Sequence, residues 1–298
     1  MNFTDKIING KNLSMTYKNN IKDKISKIKE KHNIQPGLAV VLVGDRKDSI
    51  TYVNMKKKTC EQLGIISKTF TLSESVSEQN IIDIIKSLNN DNTINGILVQ
   101  LPLPKHINEE NILGTVSIEK DVDGFHASNI GNMAMEKRKS LFVPCTPLGC
   151  LKILDREEIN LKGMNAVVIG KSNIVGLPIS LLLMKRNATV TVCHVDTKNI
   201  KEHTQKADLL VTACGQPEMI KNDWIKDDCI IIDVGINHIK DESNNTKLVG
   251  DVDFKDVINK VSKITPVPGG VGPMTIAMLM KNTFKAFKIQ NKEIFNDK

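Results

Sequence analysis

Ala166-Val167-Val168-Ile169-Gly170-Lys171-Ser172-Asn173-Ile174-Val175-Gly176 reads as a buried strand running into a glycine turn and then a helix. A glycine directly after a strand lets the backbone approach a pyrophosphate. The free N–H groups and dipole of the following helix then favour the anion. Ser172 stands where a strict G-x-G-x-x-G has its second glycine, so the loop alone does not separate a nucleotide cradle from a plain joint. The next strand, Thr189-Val190-Thr191-Val192-Cys193, completes a βαβ context and favours the dinucleotide reading. Asp196 lies twenty residues beyond Gly176, where an acid pairs with the NAD ribose, whereas Lys171 can neutralise the extra phosphate of NADP. On these residues both cofactors stay open.

Outward from this loop the pattern repeats. Downstream, strands are expected near 208–212, 229–233 and 262–265, with a final helix over about 273–288. Upstream, Ile21, Ile25 and Ile28 recur at helical spacing, and Leu38-Ala39-Val40-Val41-Leu42-Val43 reads as a buried strand closed by Gly44. A helix over 49–63, a strand near 67–72, a helix over 78–88 and the strand Gly96-Ile97-Leu98-Val99-Gln100 follow. Continuous apolar strands spaced by helices predict parallel sheets covered on both faces. The fold class is therefore α/β, with two doubly wound α/β domains, the second a Rossmann-type dinucleotide-binding domain. Pro144-Cys145-Thr146-Pro147 marks the break between them.

The 298 residues, 40% hydrophobic and 25% charged, supply an ordinary globular core and exclude global disorder. The charge of +7 is nearly all lysine and lacks an arginine cluster, which argues against base readout in nucleic acid. Six cysteines without C-x-x-C read as reduced thiols, and the histidines do not fall at metal-ligand spacing, so no metal is expected. The apolar stretch 264–280 holds three prolines and three glycines and is not read as a membrane span. The N-terminus lacks an apolar run, so a secretory signal is not expected.

Four further stretches carry chemistry. Tyr52-Val53-Asn54-Met55-Lys56 places Tyr52 and Lys56 on one helix face, although a surface lysine is the commoner reading of such spacing. Gln100 ends a buried strand, and such ends line the crevice of open α/β sheets. Lys120-Asp121-Val122-Asp123-Gly124 offers loop carboxylates able to grip a ring with adjacent N–H donors, or simply a turn. Thr265 to Thr275, rich in proline and glycine, forms an irregular backbone ahead of a helix that suits contact with a flat ligand.

Jointly these motifs are specific. With Val99-Gln100-Leu101-Pro102-Leu103, Gly215-Gln216-Pro217, Asp233-Val234-Gly235-Ile236-Asn237 and Gly250-Asp251-Val252 in order, the chain resembles the methylenetetrahydrofolate dehydrogenase/methenyltetrahydrofolate cyclohydrolase family over nearly its whole length. The resemblance implies a folate-binding catalytic domain over 1–146 plus a C-terminal helix at about 277–298. It also implies an NAD(P)-binding Rossmann domain over 147–276, a folate cleft between the two, and a cytoplasmic homodimer with no nucleic-acid or membrane partner. The implied chemistry is oxidation of 5,10-methylenetetrahydrofolate and hydrolysis of the methenyl product to 10-formyltetrahydrofolate, one-carbon metabolism that serves purine biosynthesis.

By the same resemblance Lys56 is the central catalytic residue, Tyr52 stacks near the folate, Gln100 hydrogen-bonds the lysine, and Asp123 holds the pterin edge. The folate site would comprise Tyr52, Val53, Asn54, Met55, Lys56, Val99, Gln100, Leu101 and Asp123. Pro268, Gly269, Gly270, Val271, Gly272, Pro273, Met274, Thr275 and Ile276 would complete it. The cofactor, NADP with NAD possible, would meet Gly170, Lys171, Ser172, Ile174, Val175, Val195, Asp196 and Ile236. Two departures bear on that cofactor. The family commonly has Gly-Arg-Ser where Lys171 stands, and a serine where Val195 follows His194. A monofunctional, possibly NAD-preferring, dehydrogenase is the alternative expectation.

Overall fold

β1 (Gly37–Val43) is buried at every residue, as a strand covered on both faces must be. It lies at the centre of a three-stranded parallel sheet in the computed structural model, which describes residues 3–240 and 244–295. The chain divides into two units, each described on its own. The first holds Met15–Cys145 and the residues from Ile276 onward; the second holds the residues up to Ser14 and Thr146–Thr275.

The part of α1 (Gly10–His32) from Met15 on opens the first unit and leads to β1, α2 (Lys47–Leu63), β2 (Ile66–Leu72), α3 (Glu78–Asn90) and β3 (Gly96–Val99), then to two short helices, α4 (Glu109–Thr115) and α5 (Ala127–Ala134). The sheet order is β2-β1-β3, with Gly37 opposite Ile66 and Leu38 opposite Gly96. β2 is an edge strand and mixes exposed with half-buried residues. α3 starts where Ser77 accepts a hydrogen bond from the Asn80 N–H, and it buries Ile81, Ile85 and Leu88. Each such side chain contributes roughly 1.5–3 kcal/mol.

The second unit carries α6 (Cys145–Arg156), β4 (Asn165–Ile169), α7 (Gly176–Met184), β5 (Thr189–Cys193), α8 (Ile200–Thr204), β6 (Leu209–Thr212) and β7 (Ile230–Asp233). An antiparallel pair, β8 (Asn237–Lys240) and β9 (Thr246–Val249), precedes α9 (Phe254–Val257) and β10 (Lys263–Ile264). The five-stranded sheet is parallel throughout, in the order β10-β7-β6-β4-β5. Strand order therefore reverses between β4 and β6, as it does between β1 and β3 in the first unit. Such switch points open a crevice at the carboxyl ends of the strands.

α10 (Val271–Gln290) and α11 (Lys292–Phe295) end the described chain. From Ile276 on, α10 completes the first unit: the Asn282 amide donates to the carbonyls of Val122 and Val143, at 2.8 and 3.0 Å. The N-terminal segment differs from expectation, which grouped it with the rest of 1–146. Ile8 N–H donates to the Ile264 carbonyl at 2.8 Å. A Cβ on Gly10 would lie 1.9 Å from the Gly270 oxygen. These are long-range pairings that no local periodicity announces.

Candidate active site

The buried positions of α2 are Ser49, Val53, Lys56, Thr59, Cys60 and Leu63, so Lys56 occupies the core face of an amphipathic helix. Its side chain is 9% exposed, whereas Lys57 and Lys58 are exposed. A lysine there must satisfy its ammonium or amine inside the protein. The Nζ donates to Gln100 Oε1 at 2.9 Å. Gln100 is itself fixed twice. Its N–H donates to the Val41 carbonyl, and its Nε2 donates to the Leu101 carbonyl, both at 2.8 Å. The amide oxygen is thereby aimed at Lys56 from the end of β3, at the switch point.

Tyr52 sits one turn before Lys56 and is half-buried; burial pushes its phenol pKa up, and the Asp48 charge adds to the shift. The loop between α4 and α5 divides its residues between structure and chemistry. Lys120 donates to the carbonyls of Leu88 and Asp91, at 2.9 and 2.8 Å. Asp121 is buried and accepts from the N–H groups of Gly124, Phe125 and His126 and from Asn129 Nδ2. Burial still pushes the Asp121 carboxyl up to about 6 against those bonds. This knot holds Asp123 half-exposed. Burial raises the Asp123 carboxyl, and the nearby Lys56 charge and Cys145 thiol oppose the rise.

Other expected folate residues are placed less openly. Val53 and Val99 are core residues, at 4% and 3% exposure, while Asn54 and Met55 face water. Leu101 is half-buried. In the second unit Pro268 is exposed, and Gly269, Gly272, Pro273 and Thr275 are half-buried. Gly270, Val271 and Met274 are buried there, as is Ile276 in the first unit. The Thr275 and Thr146 hydroxyls meet at 3.0 Å.

The nucleotide loop of the second unit is a close-approach backbone. Gly170 has φ +117°, and a Cβ on it would lie 2.3 Å from the Ala213 oxygen. On Gly176 a Cβ would lie 1.9 Å from the Gly170 oxygen. Ser172 Oγ accepts from the Val175 N–H at 3.2 Å, which folds the loop onto the start of α7. Ile174 and Val175 are half-buried, Val195 is 91% exposed and Ile236 is 42% exposed. Lys171 Nζ lies 3.8 Å from Asp196 Oδ2, with both side chains largely in solvent. An exposed pair of this kind contributes about 0–1 kcal/mol, so the lysine remains available to a stronger anion.

Asp123→Asn is expected to weaken folate binding and leave nucleotide binding intact. An amide mismatches one donor of the ring edge, and loss of a charge-assisted hydrogen bond costs about 1.5–3 kcal/mol. The pH profile supplies a second check. On the same expectation the Asp123 carboxylate, its pKa raised by burial, protonates as pH falls, so parental folate affinity should drop on acidification while the variant's stays flat. Titration of a folate at several pH values measures both.

Comparison with known proteins agrees with this geometry. Residues 8–123 match the tetrahydrofolate dehydrogenase/cyclohydrolase catalytic domain, and 144–291 match the family's NAD(P)-binding domain. The Bifunctional protein FolD 2 of Arabidopsis thaliana is 54% identical over 287 residues, spanning 96% of each chain. The crystal structure of the bifunctional FolD of Campylobacter jejuni is 48% identical, with TM-score 0.89 over 95% of this chain and 98% of that one. The Trypanosoma brucei FolD, solved with NADP and an inhibitor, is 34% identical, with TM-score 0.92 over 95% and 97%. The chain belongs to the tetrahydrofolate dehydrogenase/cyclohydrolase family.

Proposed function

We propose that this enzyme oxidises 5,10-methylenetetrahydrofolate with NADP and hydrolyses the methenyl product to 10-formyltetrahydrofolate. The observation that carries the reading is the buried Lys56 amine, aimed by Gln100 at a switch point with Tyr52 and Asp123 on the same unit. Asp123 accepts from the amino-pyrimidinone edge of the pterin, and Tyr52 offers its ring to the folate. Lys56, oriented by Gln100, takes a proton from the water that attacks the methenyl carbon and returns one to the ring nitrogen as the C–N bond breaks.

The loop suits a dinucleotide, since Gly170 and Gly176, where a Cβ would strike backbone, let it turn tightly from strand to helix and leave its N–H groups open to a pyrophosphate. Gly170, Lys171, Ser172, Ile174 and Val175, with Val195, Asp196 and Ile236, would hold NADP, which accepts the hydride from the one-carbon bridge when bound. The test of function follows both products from purified protein. Methenyltetrahydrofolate should form with NADP, and 10-formyltetrahydrofolate should appear faster than spontaneous hydrolysis allows.

Lys171→Ala should lower kcat/KM for NADP by about tenfold or more, since a charge-assisted phosphate contact is lost. NAD use should be nearly unchanged. Initial rates with the two nucleotides decide it, and equal losses would show that Lys171 supports the loop rather than the phosphate.

A homodimer is part of this reading, supported by exposed Leu177 and Met184 on α7 and exposed Val192 on the edge strand β5. No described helix is long and apolar enough to cross a membrane. The six free cysteines suit a reducing, cytoplasmic setting.

A further inference from the structure

We propose that Asp251, backed by Asp233, is a positioning residue for the nucleotide site of the second unit. The two carboxylates are 0% and 3% exposed. Asp251 Oδ2 accepts from the N–H groups of Cys214 and Gly215, at 2.8 and 3.2 Å, and from the Cys214 thiol. Its Oδ1 accepts from Asn237 Nδ2 at 2.9 Å. Asp233 Oδ1 accepts from Thr212 Oγ1 and from the N–H groups of Gly235 and Asp251; its Oδ2 accepts from the Val252 N–H. Two buried carboxylates thus tie together the segments that follow β6 and β7, beside the reversal of strand order.

Two consequences point to the nucleotide. The first is a wall. Ala213 N–H donates to the Ile169 carbonyl, and the Ala213 oxygen is the atom that a side chain on Gly170 would strike. By gripping Cys214 and Gly215, Asp251 sets the surface against which the nucleotide loop turns. The second is a displayed side chain. Gly235 is pinned by Asp233, and a Cβ there would lie 2.4 Å from the Asp251 carboxyl; Asn237 is held by Asp251. Ile236, between those clamped neighbours, is left 42% exposed. A large aliphatic group held rigidly in water at the carboxyl end of a sheet suits the face of a flat ring. Gly250 admits no side chain either, since a Cβ would lie 1.8 Å from Asp233 Oδ2.

This assignment rests on the dehydrogenase/cyclohydrolase reading. Its test is Asp251→Asn, in which the new amide nitrogen can accept from neither the backbone nor Asn237. NADPH affinity is read from the nucleotide's own fluorescence, dehydrogenase rates against cofactor concentration, and cyclohydrolase rates on methenyltetrahydrofolate without nucleotide. The NADPH Kd and the cofactor KM should rise about tenfold or more, because misplacing a binding surface by an ångström is that costly. Cyclohydrolase kcat and KM should stay at the parental level. Ile236→Ala, which leaves both carboxylates in place, should raise the same cofactor KM. Parental NADPH binding in Asp251→Asn overturns the proposal. So does an unchanged cofactor KM in Ile236→Ala, which also carries the test should Asp251→Asn fail to fold. Equal loss of both activities with a lowered Tm shows instead that the carboxylates hold the fold, and likewise overturns it. A parental protein that binds NADPH without turning over methylenetetrahydrofolate overturns the functional reading, while the NADPH arm still decides this one.

Discussion

Lys56→Met should abolish cyclohydrolase activity while leaving measurable dehydrogenase activity, so that methenyltetrahydrofolate accumulates. Methionine keeps the length and the apolar stem that pack on the buried face of α2, and it removes only the amine bonded to Gln100. Hydride transfer needs two rings held face to face and no proton acceptor. Water attack on the methenyl carbon needs proton movement, to which a positioned base contributes about 10²–10⁴-fold. The experiment follows both products in one reaction, with folate binding and circular dichroism as controls. Cyclohydrolase activity near the parental level would remove Lys56 from the proton-handling role. Loss of both activities with folding and binding intact would place the amine in the hydride step as well.

Gly176→Ala should do the reverse, cutting dehydrogenase activity by about 10²-fold and sparing cyclohydrolase. The added methyl would lie 1.9 Å from the Gly170 oxygen and 2.9 Å from the Lys171 nitrogen, both backbone atoms that no rotamer change can move. The loop must open by about an ångström, and misplacement on that scale costs about 10²-fold in rate. Lys56, Gln100 and Asp123 belong to the other unit, so the cyclohydrolase rate serves as an internal control. NADPH titration and thermal unfolding complete the test. An unchanged nucleotide Kd would show that the cradle lies elsewhere.

β1, β3, β4, β6 and β7 were legible because strands covered on both faces exclude polar residues, leaving uninterrupted Val, Ile and Leu runs. β8 and β9 were not, because a single apolar residue, Ile239, in β8 and two adjacent ones, Leu248 and Val249, in β9 make no alternation over four residues. α4 and α5 are too short for periodicity and depend on caps from Asn108 and His126. Within the site, Lys56 was half-legible: it stands between Val53 and Cys60 on the apolar face, a position that a surface lysine does not occupy. Gln100 was legible as a strand end lining the crevice, but its bond to a lysine 44 residues away followed only from the family resemblance, because no local pattern reports a pairing made by the sheet. The sequence does not divide Asp121 from Asp123 either, because which carboxylate turns inward depends on Asn129 and on three backbone N–H groups. Asp251 stands between Gly250 and Val252, and Asp233 precedes Val234-Gly235, a faint echo whose meaning appears only when the carboxylates meet.

The division of the chain has a consequence for its birth on the ribosome. β1, β2 and β3 emerge early, yet the carbonyls of Val122 and Val143 wait for the Asn282 amide, and those of Asn95 and Glu119 wait for Gln290. The whole of Thr146–Thr275 is translated in the interval. Domains whose residues are contiguous can fold as they appear. Here the lysine-bearing unit lacks these four pairings, its carbonyls bonding water instead, until α10 emerges.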